Sequence, residues 1–264
     1  MSFLRNDTTT VQSGQRRVVR RAPGYSEHTP RQPQECRTAP RMPSDRDPQP
    51  PMDEYFNSLF AALGPQHWWP AKTQFETIVG AILTQNAAWT NVERAITNLK
   101  LARLLSPVRI QEVPMRRLET LVRSSGYFRQ KARKLKAFCE FLRVEYKGSL
   151  KRMFETPTLV LREKLLGVFG IGPETADSIL LYAGGHAVFV VDAYTKRILT
   201  RHGWADKKAT YDEVRWAFER QFPSDVSRMN EFHALIVETG KRWCKASHPA
   251  CDECPLGRYL QEGR

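Results

Sequence analysis

The sequence predicts an all-α fold. Three observations support this: apolar residues recur at helical spacing after Met52, Pro and Gly stand at nearly every junction, and only residues 188–191 read as an extended segment. No repeat of fixed period is present. The chain has 264 residues, of which 41% are hydrophobic, so it can bury a core and is not wholly disordered.

The helices follow in order from apolar periodicity and its interruptions. Residues 53–63 form a short helix that ends at Gly64 and Pro65, and the polar Thr84, Gln85 and Asn86 separate a helix at 73–83 from one at 89–104. The later segments have the same apolar spacing, and they are residues 115–124, 130–146, 159–167, 173–183, 193–202, 211–222 and 227–241.

The charge of the chain predicts a polyanionic partner, with nucleic acid as the first candidate. Lys and Arg number 41 against 28 Asp and Glu, which gives a formal charge of +13. Residues 1–50 contain nine Arg, five acidic residues and seven Pro and show no apolar period, so we predict a disordered arm of charge +4. Its acidic residues argue against a transit peptide, and no apolar run is long enough for a membrane span. We expect a cytoplasmic, nucleoid-associated protein.

A helix-hairpin-helix is predicted where Gly170, Ile171 and Gly172 turn the chain between two helices. Both glycines allow positive φ and close approach of another backbone, so the exposed amides can bind a phosphate, a contact that carries no base identity. An ordinary tight turn is the alternative interpretation. Asp192, 18 residues after Glu174, is expected to cap the helix that follows it.

Residues 167–199 resemble the helix-hairpin-helix, Gly/Pro-rich loop and Asp signature of the endonuclease III superfamily of DNA glycosylases, and the resemblance extends over about residues 52–259. The segments 83–86, 170–172 and 191–194 are most similar to the 3-methyladenine glycosylase branch. The resemblance implies a two-lobed fold. A six-helix barrel would span residues 72–187, and residues 52–71 with 188–264 would form the second lobe, including a C-terminal Cys loop.

The resemblance also implies roles in catalysis. Asp192 falls on the catalytic aspartate, and Glu174 stands where bifunctional members carry a nucleophilic Lys. Because only an amine forms a Schiff base with the sugar aldehyde, a monofunctional glycosylase acting on an alkylated base is predicted. Glu174 would either assist catalysis or only complement the helix dipole. Two alternatives stay open: a bifunctional glycosylase and abasic-site lyase for oxidised pyrimidines, using an amine such as Lys196, and a non-catalytic damage-binding protein.

The implied partner is double-stranded DNA containing a damaged base, bound by a monomer. Gln85 would fill the gap left by the extruded base and Tyr127 would act as a wedge. Further predicted DNA contacts are the hairpin residues Gly170, Gly172 and Thr175 and the basic residues Arg129, Lys131 and Lys196. A cationic alkylated purine would stack on aromatic side chains that could equally be core residues, namely Trp68, Trp69, Trp89 and Tyr182.

Three C-terminal cysteines match the first three ligands of the family's [4Fe-4S] loop: Cys244, Cys251 and Cys254. The fourth position is Leu260, whereas a [4Fe-4S] cluster normally takes four thiolates. A cluster with three Cys ligands, a cluster completed by another ligand, and no cluster are all open. Zinc with His248 as the fourth ligand is a further alternative.

Overall fold

The computed structural model describes residues 50–69 and 71–260, which belong to one compact unit. Regular secondary structure in these residues is helical throughout, which confirms the all-α prediction. The α-helices are α1 (Met52–Leu63), α2 (Gln74–Leu83), α3 (Trp89–Leu101), α4 (Pro107–Glu112), α5 (Met115–Leu121), α6 (Phe128–Tyr146), α7 (Leu150–Phe154), α8 (Thr158–Leu166), α9 (Pro173–Ser178), α10 (Ala193–Arg201), α11 (Tyr211–Glu219) and α12 (Val226–Arg242). None of these helices is both long and apolar enough to cross a membrane. The predicted arm lies outside the described residues, except for Pro50.

Two short helices, α4 and α7, were not predicted from the sequence. Each is only one or two turns long, so it presents too few residues to show an apolar period. Their local signals are N-terminal caps: the side chain of Ser106 accepts from Arg109 N, and that of Ser149 accepts from Arg152 N. The predicted helix at 173–183 is α9 followed by a π-helical turn, Ile179–Ala183.

Helices α2 and α12 each pack against several other elements. Helix α2 is buried from Phe75 to Leu83 and contacts α3, α6, α9 and the π-helical turn. Helix α12 contacts α1 and α10, and it also reaches the π-helical turn. The division into lobes at residues 72–187 and 188–264 remains a prediction.

The segment 188–191 leads directly to Asp192 and belongs to neither a helix nor a strand. The ring of Phe189 stacks on that of Phe218 with centroids 3.8 Å apart. Its backbone N donates to Glu219 Oε1 over 3.0 Å, and Val191 N donates to the hydroxyl of Tyr211 over 3.2 Å. Helix α11 therefore fixes the backbone that presents Asp192.

A buried ionic network attaches the hairpin to α11. Arg162 on α8 donates to both oxygens of Asp177 on α9, over 2.7 and 3.1 Å, and to Asp212 on α11 over 2.9 Å. Asp177 is fully buried, and burial raises its pKa while the Arg162 guanidinium opposes that rise. Because a buried charge needs its partner, these contacts hold α8, α9 and α11 in one arrangement.

Candidate active site

Asp192 is the N-terminal cap of α10, as predicted. Its Oδ1 accepts from Thr195 N over 2.8 Å and from the Thr195 hydroxyl over 2.9 Å. Among the described residues no hydrogen bond reaches Oδ2, and His233 Nε2 lies 3.9 Å from this atom. The cap thus fixes one carboxylate oxygen and leaves the other available for chemistry.

Glu174 lies in the first turn of α9, within electrostatic reach of Asp192. Loss of water around the carboxyl raises its pKa to about 7, and the negative charge of Asp192 adds to the rise. The residue as a whole remains accessible to solvent, so the shift reflects the crowded setting of the carboxyl and not full enclosure. The site therefore holds two carboxyl groups, and that of Glu174 has a raised pKa.

The four predicted pocket residues form one aromatic cluster: Trp68, Trp69, Trp89 and Tyr182. Trp69 is central, with its ring centroid 5.1 Å from that of Tyr182, 5.2 Å from that of Trp89 and 6.3 Å from that of Trp68. Gly80 makes room for it, since a Cβ there would lie 2.9 Å from the Trp69 ring. Lys241 Nζ lies 5.4 Å from the Trp68 ring centroid.

His233 connects this cluster to Asp192. Its Nδ1 hydrogen-bonds to the Tyr182 hydroxyl, and its Nε2 faces Asp192 Oδ2. Sequence reasoning missed His233 because it lies on α12, 41 positions after Asp192, with no local motif around it. Only the packing of α12 against the π-helical turn brings the three side chains together.

Gln85 is held by the hairpin. Its Nε2 donates to the Gly170 carbonyl over 3.0 Å and to the Thr175 hydroxyl over 2.8 Å, and Lys134 Nζ donates to its Oε1. Gly170 has φ +79°, as predicted, and a Cβ there would meet the Lys134 side chain at 2.5 Å. Gly172 does not use the freedom that glycine allows: its φ is −97°, and a Cβ would meet nothing within 4 Å.

Tyr127 is a prominent exposed aromatic residue, with 72% of its surface accessible. It precedes α6 in the left-handed conformation at φ 43°, directly after Gly126 at φ 69°. A non-glycine residue in this region is strained by about 1–2 kcal/mol, and such strain is concentrated at functional sites. The exposed Arg129 lies beside it, with its guanidinium 5.3 Å from the Phe128 ring centroid.

Lys131 does not belong to the exposed basic surface, so its predicted phosphate contact is wrong. It is 1% exposed, and its Nζ donates to the carbonyls of Leu83, over 2.8 Å, and Ser125, over 2.5 Å. Burial lowers its pKa to about 8, helped by the positive charge of Lys134. Lys131 instead ties the end of α2 to the turn before Tyr127.

Lys196 makes an intramolecular contact. Its Nζ donates to the Ala209 carbonyl over 3.5 Å, and the side chain is partly buried. In this conformation the amine points to the loop before α11, so the structure does not place it beside Asp192 as the alternative lyase mechanism needs.

Comparison with known proteins identifies the family. The family model described as HhH-GPD superfamily base excision DNA repair protein matches residues 79–224. The chain belongs to this superfamily. The match includes Gln85, Tyr127, Glu174 and Asp192, and it confirms the predicted place of the chain in DNA base excision repair.

Individual members of the superfamily are similar over most of their length. "Putative DNA repair glycosylase MJ1434" of Methanocaldococcus jannaschii is 48% identical over 77% of this chain and 93% of its own length. The H. pylori 3-methyladenine DNA glycosylase bound to 1,N6-ethenoadenine is 30% identical over 72% of this chain and 97% of its own, with TM-score 0.65. A non-covalent endonuclease III–DNA complex, 24% identical with TM-score 0.68, shares the fold over 80% of this chain and 94% of its own.

The C-terminal loop of this superfamily member brings its three cysteines to one cavity. Cys244, Cys251, Cys254 and Leu260 all line it, so the position expected for a fourth ligand faces the thiols with an apolar side chain. Arg201 donates to Cys244 Sγ over 3.0 Å. Within the described ranges no group of three or more His, Cys, Asp or Glu is arranged to hold a metal. These residues do not fit a cluster with four thiolate ligands.

Proposed function

We propose that this DNA glycosylase of the HhH-GPD superfamily is monofunctional and releases alkylated purines from double-stranded DNA, in the cytoplasm. The observation that carries the proposal is the aromatic cluster around Trp69, which is joined to Asp192 through Tyr182 and His233. Electron-rich rings hold a cationic base by stacking and cation–π attraction. The H. pylori relative, which is named for 3-methyladenine and binds ethenoadenine, supports the same class of substrate.

Asp192 supplies the chemistry at the sugar. As the N-glycosidic bond breaks, its electron pair stays on the base, and a cationic alkylated purine leaves as a neutral molecule. The sugar develops oxocarbenium character that the Asp192 carboxylate stabilises. Water then bonds to the sugar carbon and gives its proton to the carboxylate, so the products are a free base and an abasic site in an intact strand.

Glu174 supports a monofunctional reaction. A carboxyl group at the position of the lyase lysine cannot condense with the sugar aldehyde, because that step needs an amine. Two other amines that could act as a lyase nucleophile are both engaged in contacts: Lys196 donates to the Ala209 carbonyl, and Lys241 lies against the Trp68 ring.

Gln85 and Tyr127 would separate the target base from the duplex. Gln85 is a preorganised amide at the hairpin, and Tyr127 is an exposed ring on a strained turn. Lys131 donates to the carbonyls of Leu83 and Ser125, each of which lies two residues before one of these side chains. The same buried amine therefore supports the backbone before both Gln85 and Tyr127. Unstacking costs a few kcal/mol and is least for bases that pair poorly, which favours damaged ones.

A lesion panel tests this proposal. Duplexes with 3-methyladenine, 1,N6-ethenoadenine or an oxidised pyrimidine are incubated with the enzyme, and free base and strand breaks are measured with and without alkali. We expect release of both alkylated purines, faster for 3-methyladenine, because this cation leaves as a neutral base whereas ethenoadenine must also take up a proton from water. We expect strand breaks only after alkali, and no adduct on borohydride trapping. A trapped adduct that disappears in Lys241→Ala or Lys196→Ala would establish the bifunctional alternative. Tight binding with no base release would establish the damage-binding one.

A further inference from the structure

We propose that His233 is a positioning residue for the base-release step: its Nε2–H holds the free oxygen of Asp192 and links it to the aromatic cluster. This inference rests on the proposed function, because it takes Asp192 as the reacting carboxylate. Nothing in the local sequence around His233 marks it for this role, so the argument comes from its contacts alone.

His233 has a buried ring nitrogen that lacks a hydrogen-bond partner in the described part of the chain. The residue is 6% exposed, and its Nε2 makes no hydrogen bond among residues 50–69 and 71–260. Buried polar atoms are nearly always bonded, and one without a partner calls for an explanation. The atom that Nε2 faces is Asp192 Oδ2, which likewise has no hydrogen bond to any residue that the structure describes.

The role of His233 depends on which nitrogen of its imidazole ring carries the hydrogen. Burial, with the negative charge of Asp192, holds the pKa of Tyr182 far above its usual range, so its hydroxyl keeps a proton that it can donate to His233 Nδ1, its hydrogen-bond partner. Burial lowers the pKa of His233, against a smaller rise caused by Asp192, and this favours the neutral ring. A neutral imidazole that accepts at Nδ1 carries its hydrogen on Nε2. In this tautomer the Nε2–H donor faces Asp192 Oδ2.

The distance between His233 Nε2 and Asp192 Oδ2 can change only within limits. Thr195 fixes Asp192 Oδ1 through two hydrogen bonds, so the carboxylate turns only a little. The gap of 3.9 Å between Nε2 and Oδ2 is longer than a hydrogen bond. Catalytic hydrogen bonds are often long in the free enzyme and shorten when substrate binds. A base stacked on Trp69 and Tyr182 would contact Tyr182, whose hydroxyl orients His233.

The experiment compares two amide variants of His233. The Gln side chain places its amide nitrogen near the position of His233 Nε2. The shorter Asn side chain places its amide only near the position of Nδ1, the atom that contacts Tyr182. His233→Leu is the apolar control. Single-turnover base release from an alkylated-purine duplex gives the chemical rate constant, and binding to a duplex with a tetrahydrofuran abasic analogue gives Kd. Thermal unfolding of each variant is followed by circular dichroism.

We expect His233→Asn to lower the rate constant about 10- to 100-fold with Kd changed less than about twofold, and His233→Gln to recover most of the rate. Equal rates for Asn and wild type, or equal losses for Asn and Gln at similar melting temperature, would overturn the inference. If His233→Leu does not fold, the Asn and Gln pair decides alone. A wild-type chain that releases no alkylated purine would contradict the proposed function, whereas an active wild type with an equally active His233→Asn contradicts this inference alone.

Discussion

Asp192→Asn separates the structural role of Asp192 from its chemical role. The aspartate caps α10 through Oδ1, which accepts two hydrogen bonds from Thr195. Asn retains a carbonyl oxygen at the same place and ranks with Asp as an N-terminal cap. The free energy of unfolding should therefore change by less than about 0.5 kcal/mol, or roughly 2 °C in melting temperature for a chain of this size.

The chemical effect should be much larger. The neutral amide cannot balance the positive charge that develops on the sugar, and loss of one preorganised electrostatic contact typically costs about 100- to 1,000-fold in rate. Asp192→Ala should show the same loss of rate and, in addition, lose the cap, which costs about 1 kcal/mol. The measurement is single-turnover base release at saturating enzyme, together with thermal unfolding of both variants.

Asp225 provides a matched control. It caps α12 by accepting from Arg228 N over 2.9 Å, so Asp225→Asn makes the same chemical change at another helix. It should leave both stability and base release near wild type. If Asp192→Asn releases base at the wild-type rate, Asp192 is not the reacting carboxylate. If it is as unstable as Asp192→Ala, the capping argument fails.

Three further predictions follow from the structure. Lys131→Met leaves two carbonyls without their donor and should lower the free energy of unfolding by about 1–3 kcal/mol. The pKa of Lys131 in the folded chain is about 8, below its ordinary value, so the unfolded chain binds more protons above pH 8. The stability of wild type relative to this variant should therefore rise from about pH 8 to 10 in urea titrations, and a flat difference would contradict the burial argument. Tyr127→Gly relieves the left-handed strain and should leave stability within about 1 kcal/mol, but lower base release roughly 10-fold through lost stacking; an unchanged rate would exclude the wedge. Leu260→Cys completes four thiolates and should bind about four iron atoms with visible absorbance, whereas equal iron in anaerobically purified wild type would show that three cysteines suffice.

Lys131 shows where sequence reasoning about a surface fails. The run from Arg129 to Lys136 has no acidic residue and indicates a basic face, and Arg129 is indeed exposed. Lys131, however, lies four residues before Leu135 and seven before Phe138, on the buried stripe of α6. Helical periodicity thus carried the signal for its burial. Its two carbonyl partners are 48 and 6 positions away and could be located only in the folded chain.

The sequence by itself determined the helical class, the hairpin with Gly170 and the cap at Asp192, because these depend on local backbone chemistry and on the identity of one residue. Tertiary structure alone decided the rest. It brought Trp89 and Tyr182 from two separate elements to Trp69, placed His233 between Tyr182 and Asp192, and turned Leu260 toward three thiols. Contacts of this kind join positions far apart in the chain, and they depend on how helix faces pack, which no local pattern records.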